Sequence, residues 1–139
     1  MNALVIALIE QTDQEREVST ILRDAGHTVI SARNFLEAKA ALQRTDCALI
    51  LSDVHLQNGG NVFDFLKWVK TDPRLRQIPF VLVSFSPSQM AKYLGDGLRV
   101  ASRHLGAAKY IDMHSVDPVL LMEELAEFLP DKDSVPAKR

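Results

Sequence analysis

Cysteine is almost absent from this chain of 139 residues, in which Cys47 is the only one. A single thiol cannot form an internal disulfide, so the sequence indicates a reducing compartment and a fold that its core alone stabilises. Cys47 stands directly before an apolar segment that begins at Ala48. This position favours a packed small hydrophobe over a nucleophile.

Long hydrophobic runs are absent as well. The apolar stretch from Ala3 to Ile9 lacks the basic start and the small-residue cleavage site of a secretory signal. No run approaches the length that spans a bilayer. We therefore expect a cytoplasmic protein.

The chain also has no excess of either charge, since 16 Lys and Arg residues face 18 Asp and Glu residues. This balance gives no electrostatic reason to expect a nucleic acid or an anionic membrane as partner. Repeats and low-complexity segments are absent too, and 47% of the residues are hydrophobic. Such a composition predicts one ordinary globular domain over residues 1–130, followed by a polar tail over 131–139.

Five short apolar segments are bounded by turn residues, which is typical of strands buried on both faces of a parallel sheet. Between these segments, apolar residues recur at the intervals of a helix. The predicted strands are 4–9, 28–32, 48–53, 80–83 and 109–113. Right-handed crossovers then give a doubly wound parallel sheet with helices on both faces.

The helix boundaries follow from capping patterns. Thr12 with Glu15, and Asn34 with Glu37, have the spacing of capping boxes. Helix one is predicted over about 13–25, and the last helix after Asp117 and Pro118, with a buried stripe that reaches Leu129. The segment 88–105 contains two glycines near its middle, at 95 and 97, which lower its helix propensity and leave open one helix or two.

The carboxyl ends of parallel strands share one edge of the sheet, where ligands bind in open α/β folds. We expect Glu10, Asp53, Ser84 and the corner of Met113 and His114 at this edge. Asp53 directly follows the buried third strand, which makes it a candidate functional carboxylate.

The order of these residues resembles the receiver domain of bacterial two-component response regulators. An acidic residue follows strand one, an aspartate ends strand three and a hydroxyl residue follows strand four. The segment from Gly106 to Tyr110 is similar to the entry of a receiver's fifth strand. The resemblance covers about residues 3–129 and implies a flavodoxin-like sheet of order 2-1-3-4-5.

The resemblance implies that Asp53 accepts a phosphoryl group from a histidine kinase, a phosphotransfer protein or a small phosphodonor. It implies Mg²⁺ held by Glu10, Asp53 and the backbone carbonyl of His55. Ser84 would donate its hydroxyl to a phosphoryl oxygen. Tyr110 would swing inward as Ser84 moves, which makes the two residues the output switch.

The implied protein is a stand-alone regulator in a phosphorelay, a phosphoacceptor rather than a turnover enzyme. Its protein target would bind the face formed by helix four, strand five and helix five. Neither nucleic acid nor membrane is an expected partner.

Several positions depart from the receiver pattern, which indicates an atypical member. Ile9 stands where the family usually has a first acidic residue, so we expect weaker metal affinity. Met113 replaces the lysine that pairs with the phosphoryl group, and a thioether cannot replace an ammonium. Phe85 occupies a position that is usually small, while Gln57 and His114 replace prolines.

Each candidate residue also has a structural interpretation. Asp53 could cap a turn, Glu10 could be an ordinary exposed carboxylate, Ser84 could satisfy a backbone group, and Tyr110 could be static core. The two histidines 55 and 114 could share a transition metal, although no cysteine and no ligand spacing supports such a site.

Two other functions compete with phosphotransfer. A degenerate pseudo-receiver would bind a partner without phosphorylation, which Ile9 and Met113 favour. A flavodoxin-like cofactor binder is disfavoured, because no loop after a strand has the Gly- and Ser-rich phosphate cradle that it needs.

Overall fold

The computed structural model describes the backbone of residues 3–54, 61–85, 89–113 and 115–129, and the side chains of these residues except 89–96. Strands and helices alternate along the chain. The strands are β1 (Leu4–Leu8), β2 (Thr28–Ala32), β3 (Leu49–Asp53), β4 (Phe80–Ser84) and β5 (Lys109–Asp112). The helices are α1 (Thr12–Asp24), α2 (Phe35–Arg44), α3 (Val62–Thr71), α4 (Gln89–His104) and α5 (Pro118–Leu125).

The five strands form one parallel sheet in the order β2-β1-β3-β4-β5. The predicted fold class and strand order are confirmed, and each predicted strand end lies within one residue of the observed one. β3 and β4 are buried along their whole length. Continuous apolar runs suit these strands because helices cover both faces of the sheet.

Two apolar clusters lie on opposite faces of the sheet. The first packs α1 and α5 against the sheet through Val18, Leu22, Leu121 and Leu125. The second packs α2 and α3 against the other face through side chains such as Leu42. Burial of each such side chain contributes on the order of 1.5–3 kcal/mol, so these clusters rather than any cross-link stabilise the fold.

The structure confirms two of the three predicted helix caps. The Asn34 side chain accepts a hydrogen bond of 2.9 Å from the backbone N–H of Glu37, and Asp117 caps α5. The capping box of Thr12 and Glu15 was wrong. Thr12 is already helical, and the Glu15 carboxylate accepts hydrogen bonds from the hydroxyl groups of Ser19 and Ser31 instead.

Of the two alternatives for the segment 88–105, the structure has the single helix, since α4 is one helix of 16 residues. A glycine inside a helix costs about 1 kcal/mol relative to alanine. The second half of α4 packs Leu98 against the core on the α2 and α3 face of the sheet, with Leu105 just beyond its end. This tertiary packing offsets the unfavourable helix propensity of the glycines.

Glycine ends two helices where the backbone turns into a left-handed conformation. Gly26 follows α1 with φ of 97°, and Gly106 follows α4 with φ of 104°. At the other end of the chain, α5 ends at Leu125, so Leu129 of the predicted stripe is buried beyond the helix.

Across the described ranges, every helix is too short or too polar to traverse a lipid bilayer.

Candidate functional site

The carboxyl edge of the sheet brings together segments that are far apart in sequence. Asp53 and Ser84 are the last residues of the neighbouring strands β3 and β4. The register places Ser84 one residue beyond the partner of Asp53. On the other side of β3, Leu8 pairs with Ser52, so Glu10 follows β1 at the same edge. The predicted gathering of these three polar residues at one edge is therefore present.

Asp53 is nearly buried, with 5% of its surface exposed. The Ser52 hydroxyl donates a hydrogen bond of 3.0 Å to the backbone oxygen of Asp53. The N–H of Val54 donates a hydrogen bond of 3.1 Å to the carbonyl of Val83. This bond fixes the backbone after Asp53 to β4. A carboxylate in so dry a position needs polar or charged neighbours, and Asp53 interacts with such groups.

Ser84 joins this edge to Tyr110 of β5. The buried Ser84 hydroxyl lies within hydrogen-bonding reach of the Tyr110 phenol. Burial raises the pKa of the Tyr110 phenol above its ordinary value, and the Ser84 hydrogen bond acts in the opposite direction. The charge of Asp53 also raises this pKa, so the carboxylate lies within electrostatic range of the ring. The inward Tyr110 ring thus lies against Ser84, and the pKa of its phenol responds to the charge of Asp53.

Arg99 of α4 holds the other side of Tyr110. Its Nη1 donates a hydrogen bond of 3.0 Å to the Tyr110 backbone oxygen, and its guanidinium carbon lies 4.8 Å from the ring centre. Its Nη2 lies 3.8 Å from Oδ2 of Asp112. Sequence reasoning missed this residue, because a basic residue on a helix with unknown rotation carries no signal of a contact with the next strand.

A continuous apolar wall lines the same edge. Ile9, Phe85 and Met113 belong to one buried cluster, with exposures of 1%, 5% and 4%. The three departures from the receiver pattern therefore share one physical effect. They make this side of the edge dry and place no charge in it.

The carboxylates of Glu10 and Asp53 are the described groups that could hold a metal ion at this edge. Oxygen donors of this type suit Mg²⁺, which binds proteins through one or two carboxylates and keeps several waters. Among the residues that the structure describes, no group of three or more His, Cys, Asp or Glu side chains forms a metal site. The proposed carbonyl ligand of His55, and the pair of histidines 55 and 114, lie outside the described residues.

No protein-family model and no curated protein sequence matches the chain. Similarity appears among solved structures. The chemotaxis protein CheY4 of Vibrio cholerae is 25% identical, with a TM-score of 0.76 over 93% of this chain and 100% of that one. The receiver domain of a histidine kinase from Syntrophus aciditrophicus is 24% identical, with a TM-score of 0.73 over 91% of this chain and 89% of that one.

A third similar structure is the Mn²⁺-bound form of the response regulator Rcp1. It is 22% identical, with a TM-score of 0.70 over 92% of this chain and 99% of that one. These likenesses extend over nearly the full length of each chain. They confirm the resemblance drawn from the sequence and identify this fold as that of response regulator receiver domains.

Proposed function

We propose that this domain is a phosphorylation-dependent signalling receiver that accepts a phosphoryl group on Asp53. The observation that carries the proposal is the position of Asp53. It is a nearly buried carboxylate at the carboxyl end of the central strand, and Ser84 ends the neighbouring strand. This is the edge at which ligands bind in open parallel sheets.

In the proposed reaction a carboxylate oxygen of Asp53 attacks phosphorus, and an acyl phosphate forms. The bond between phosphorus and the donor breaks, and the donor nitrogen or oxygen leaves with the bonding electrons. The Ser84 hydroxyl donates a hydrogen bond to a phosphoryl oxygen. This bond matters because the attack brings two anions together, so charge on the phosphoryl oxygens must be stabilised.

Glu10 and Asp53 would hold a divalent ion at this edge, with Mg²⁺ as the proposed metal and the carbonyl of His55 as a further proposed ligand. When bound, the ion would neutralise part of the negative charge on the phosphoryl oxygens. Rcp1, whose structure contains Mn²⁺, has the same fold. Because Ile9 replaces an acidic residue, we expect this site to bind Mg²⁺ more weakly than a site with two acidic residues after β1.

Ser84 and Tyr110 form the proposed output switch. The Ser84 hydroxyl has one proton to donate, and its oxygen can still accept a hydrogen bond. When that proton turns to a phosphoryl oxygen, the Tyr110 phenol can donate to Ser84 in return. Phosphorylation would therefore strengthen the inward position of the ring and alter the surface formed by α4, β5 and α5.

We propose two kinds of protein partner, one that donates the phosphoryl group and one that responds to the phosphorylated domain. A histidine kinase or phosphotransfer protein would supply the phosphoryl group, and a target protein would bind the surface formed by α4, β5 and α5. We propose a cytoplasmic location, in agreement with the single cysteine.

The second candidate is a pseudo-receiver that binds its partner without phosphotransfer. The apolar wall of Ile9, Phe85 and Met113 favours it. None of these three side chains supplies an ammonium that could pair with a phosphoryl group. The retained carboxylate and hydroxyl of Asp53 and Ser84 favour the first candidate.

Phosphoryl uptake separates the two candidates. The folded protein is incubated with Mg²⁺ and a small phosphodonor, and its intact mass is measured with time. We expect one added phosphoryl group in the parent protein and none in Asp53→Asn, with Asp46→Asn as the matched control that keeps uptake. Absence of uptake in the folded parent protein at saturating Mg²⁺ would reject phosphotransfer and favour the pseudo-receiver.

A further inference from the structure

Arg99 contacts the side chain and the backbone of the same strand residue. Its guanidinium stacks over the Tyr110 ring and donates to the Tyr110 carbonyl, while its third contact is the carboxylate of Asp112. We infer that Arg99 is a positioning residue, which holds the Tyr110 phenol inward against Ser84. It acts on the candidate site only through the tyrosine.

The geometry restricts the ring because the guanidinium is planar and its donors point in fixed directions. The hydrogen bond to the Tyr110 carbonyl and the ion pair with Asp112 anchor Arg99 to the backbone and edge of β5. The guanidinium carbon of the anchored side chain lies over the ring, in cation–π contact. An outward swing would separate the ring from Arg99 and from the Ser84 hydroxyl at once.

Arg99 differs from the other cations of its neighbourhood. A groove of about 280 Å³ between α4 and β5 is lined by Arg99, Arg103, Lys109 and Tyr110, among others. The Lys109 ammonium lies 3.1 Å from the carboxylate of Glu124 and is held toward α5. Arg103 is exposed to solvent, one turn further along α4. This makes Arg103 a matched control for charge in the groove.

The backbone of Arg99 is fixed within α4. The buried Ser102 hydroxyl donates a hydrogen bond of 2.9 Å to the Arg99 carbonyl, and neighbouring Leu98 packs against the core. A rotation of α4 would therefore carry the guanidinium away from the ring, and release of the ring would free α4. A link between this movement and phosphorylation rests on the proposed function. The contact between Arg99 and Tyr110 does not.

The test measures the ionisation of the Tyr110 phenol in the unphosphorylated protein. The chain has two tyrosines, so Tyr93→Phe leaves Tyr110 as the only phenol to titrate by ultraviolet absorbance. In this background burial raises the pKa of Tyr110, and the charge of Arg99 lowers it. Arg99→Ala is therefore expected to lower the pKa of Tyr110 if Arg99 holds the ring, and not to lower it if Arg99 is only a neighbouring charge.

If Arg99 holds the ring, Arg99→Ala lets the phenol swing into water, and its pKa falls toward the ordinary value. If Arg99 is only a neighbouring charge, the ring stays buried and its pKa rises further or stays unchanged, which would overturn the inference. Arg103→Ala should leave the titration unaltered. Circular dichroism through the titration establishes that each variant is folded, and Arg99→Gln replaces Arg99→Ala if the latter is not.

Phosphoryl uptake by Asp53 is scored separately by intact mass. Arg99→Ala is expected to keep uptake while Tyr110 is released. A protein that takes up no phosphoryl group can still pass the tyrosine test, so failure of the inference and failure of the proposed function give different results.

Discussion

Ser84 and Tyr110 connect the end of β4 to β5, because a buried hydroxyl lies within hydrogen-bonding reach of a half-buried phenol. The backbone of Ser84 is fixed as well, since its carbonyl accepts a hydrogen bond of 2.8 Å from the N–H of Met113. Any group that competes for the Ser84 proton therefore acts on the tyrosine. This relationship is the route by which events at Asp53 would reach the surface of the domain.

Replacing Ser84 by alanine tests the role of its hydroxyl in phosphoryl transfer. A hydrogen bond to a charged group contributes about 1.5–3 kcal/mol. We therefore expect Ser84→Ala to slow phosphoryl uptake between about tenfold and a hundredfold, as measured by intact mass against time. Ser19→Ala removes a buried hydroxyl of α1 that contacts Glu15 and should keep the parent rate. Equal rates for Ser84→Ala and the parent would exclude this role.

The apolar wall makes a prediction about stability. Ile9 and Met113 are buried in one apolar cluster, so a charge placed at either position loses much of its hydration. We expect Ile9→Asp and Met113→Lys each to lower the free energy of unfolding by about 2 kcal/mol or more, measured by urea denaturation.

The double variant Ile9→Asp with Met113→Lys is expected to lose less than the sum of the two single losses, by about 1 kcal/mol or more. The reason is that the two charges would lie in the same cluster and compensate each other. Strictly additive losses would show that the two positions are not coupled across the wall.

His27 predicts how stability depends on pH. It is buried, and its Nδ1 accepts a hydrogen bond of 3.1 Å from the backbone N–H of Ala3. Burial lowers the pKa of His27 below the ordinary value of 6.5. The folded state thus binds fewer protons than the unfolded state between the folded pKa and 6.5.

Because of this difference, the contribution of His27 to stability is complete above pH 6.5 and is lost as the pH falls toward the folded pKa. Urea denaturation across this range should show a smaller pH dependence in His27→Asn than in the parent. His104→Asn changes an exposed histidine of α4 and serves as control. An unchanged pH dependence in His27→Asn would contradict the assignment.

The two capping patterns of the sequence are expected to differ in their energetic effect. Asn34 accepts the hydrogen bond from Glu37, so Asn34→Ala should lower the free energy of unfolding by about 1 kcal/mol. Thr12 lies inside α1 and makes no such bond, so Thr12→Ala should change it by less than about 0.5 kcal/mol. Equal losses in thermal or urea denaturation would mean that Thr12 caps the helix after all.

The sheet could be predicted because buried parallel strands are continuous apolar runs, and the edge residues followed from the parallel arrangement. The cap of α1 could not, since the spacing of Thr12 and Glu15 does not say where the Glu15 side chain points. In the fold its carboxylate faces Ser31 of the next strand. A long-range partner of this kind has no local signature.

Two features of the candidate site required the fold. Ile9 and Met113 are separate departures in the sequence, and only the sheet shows that they pack into one cluster. The contact of Arg99 with Tyr110 depends on the rotation of α4, which the glycines near its middle made hard to predict. Both features come from packing between elements rather than from the pattern within one element.

Reductive trapping of the phosphorylated protein tests the central claim most directly. Borohydride converts an aspartyl phosphate to homoserine, and peptide mass mapping then locates the altered residue. After treatment with Mg²⁺ and a small phosphodonor, the account predicts homoserine at position 53 and at no other acidic position. A phosphorylated protein in which position 53 stays aspartate, or a folded protein that yields no homoserine at all, would contradict it.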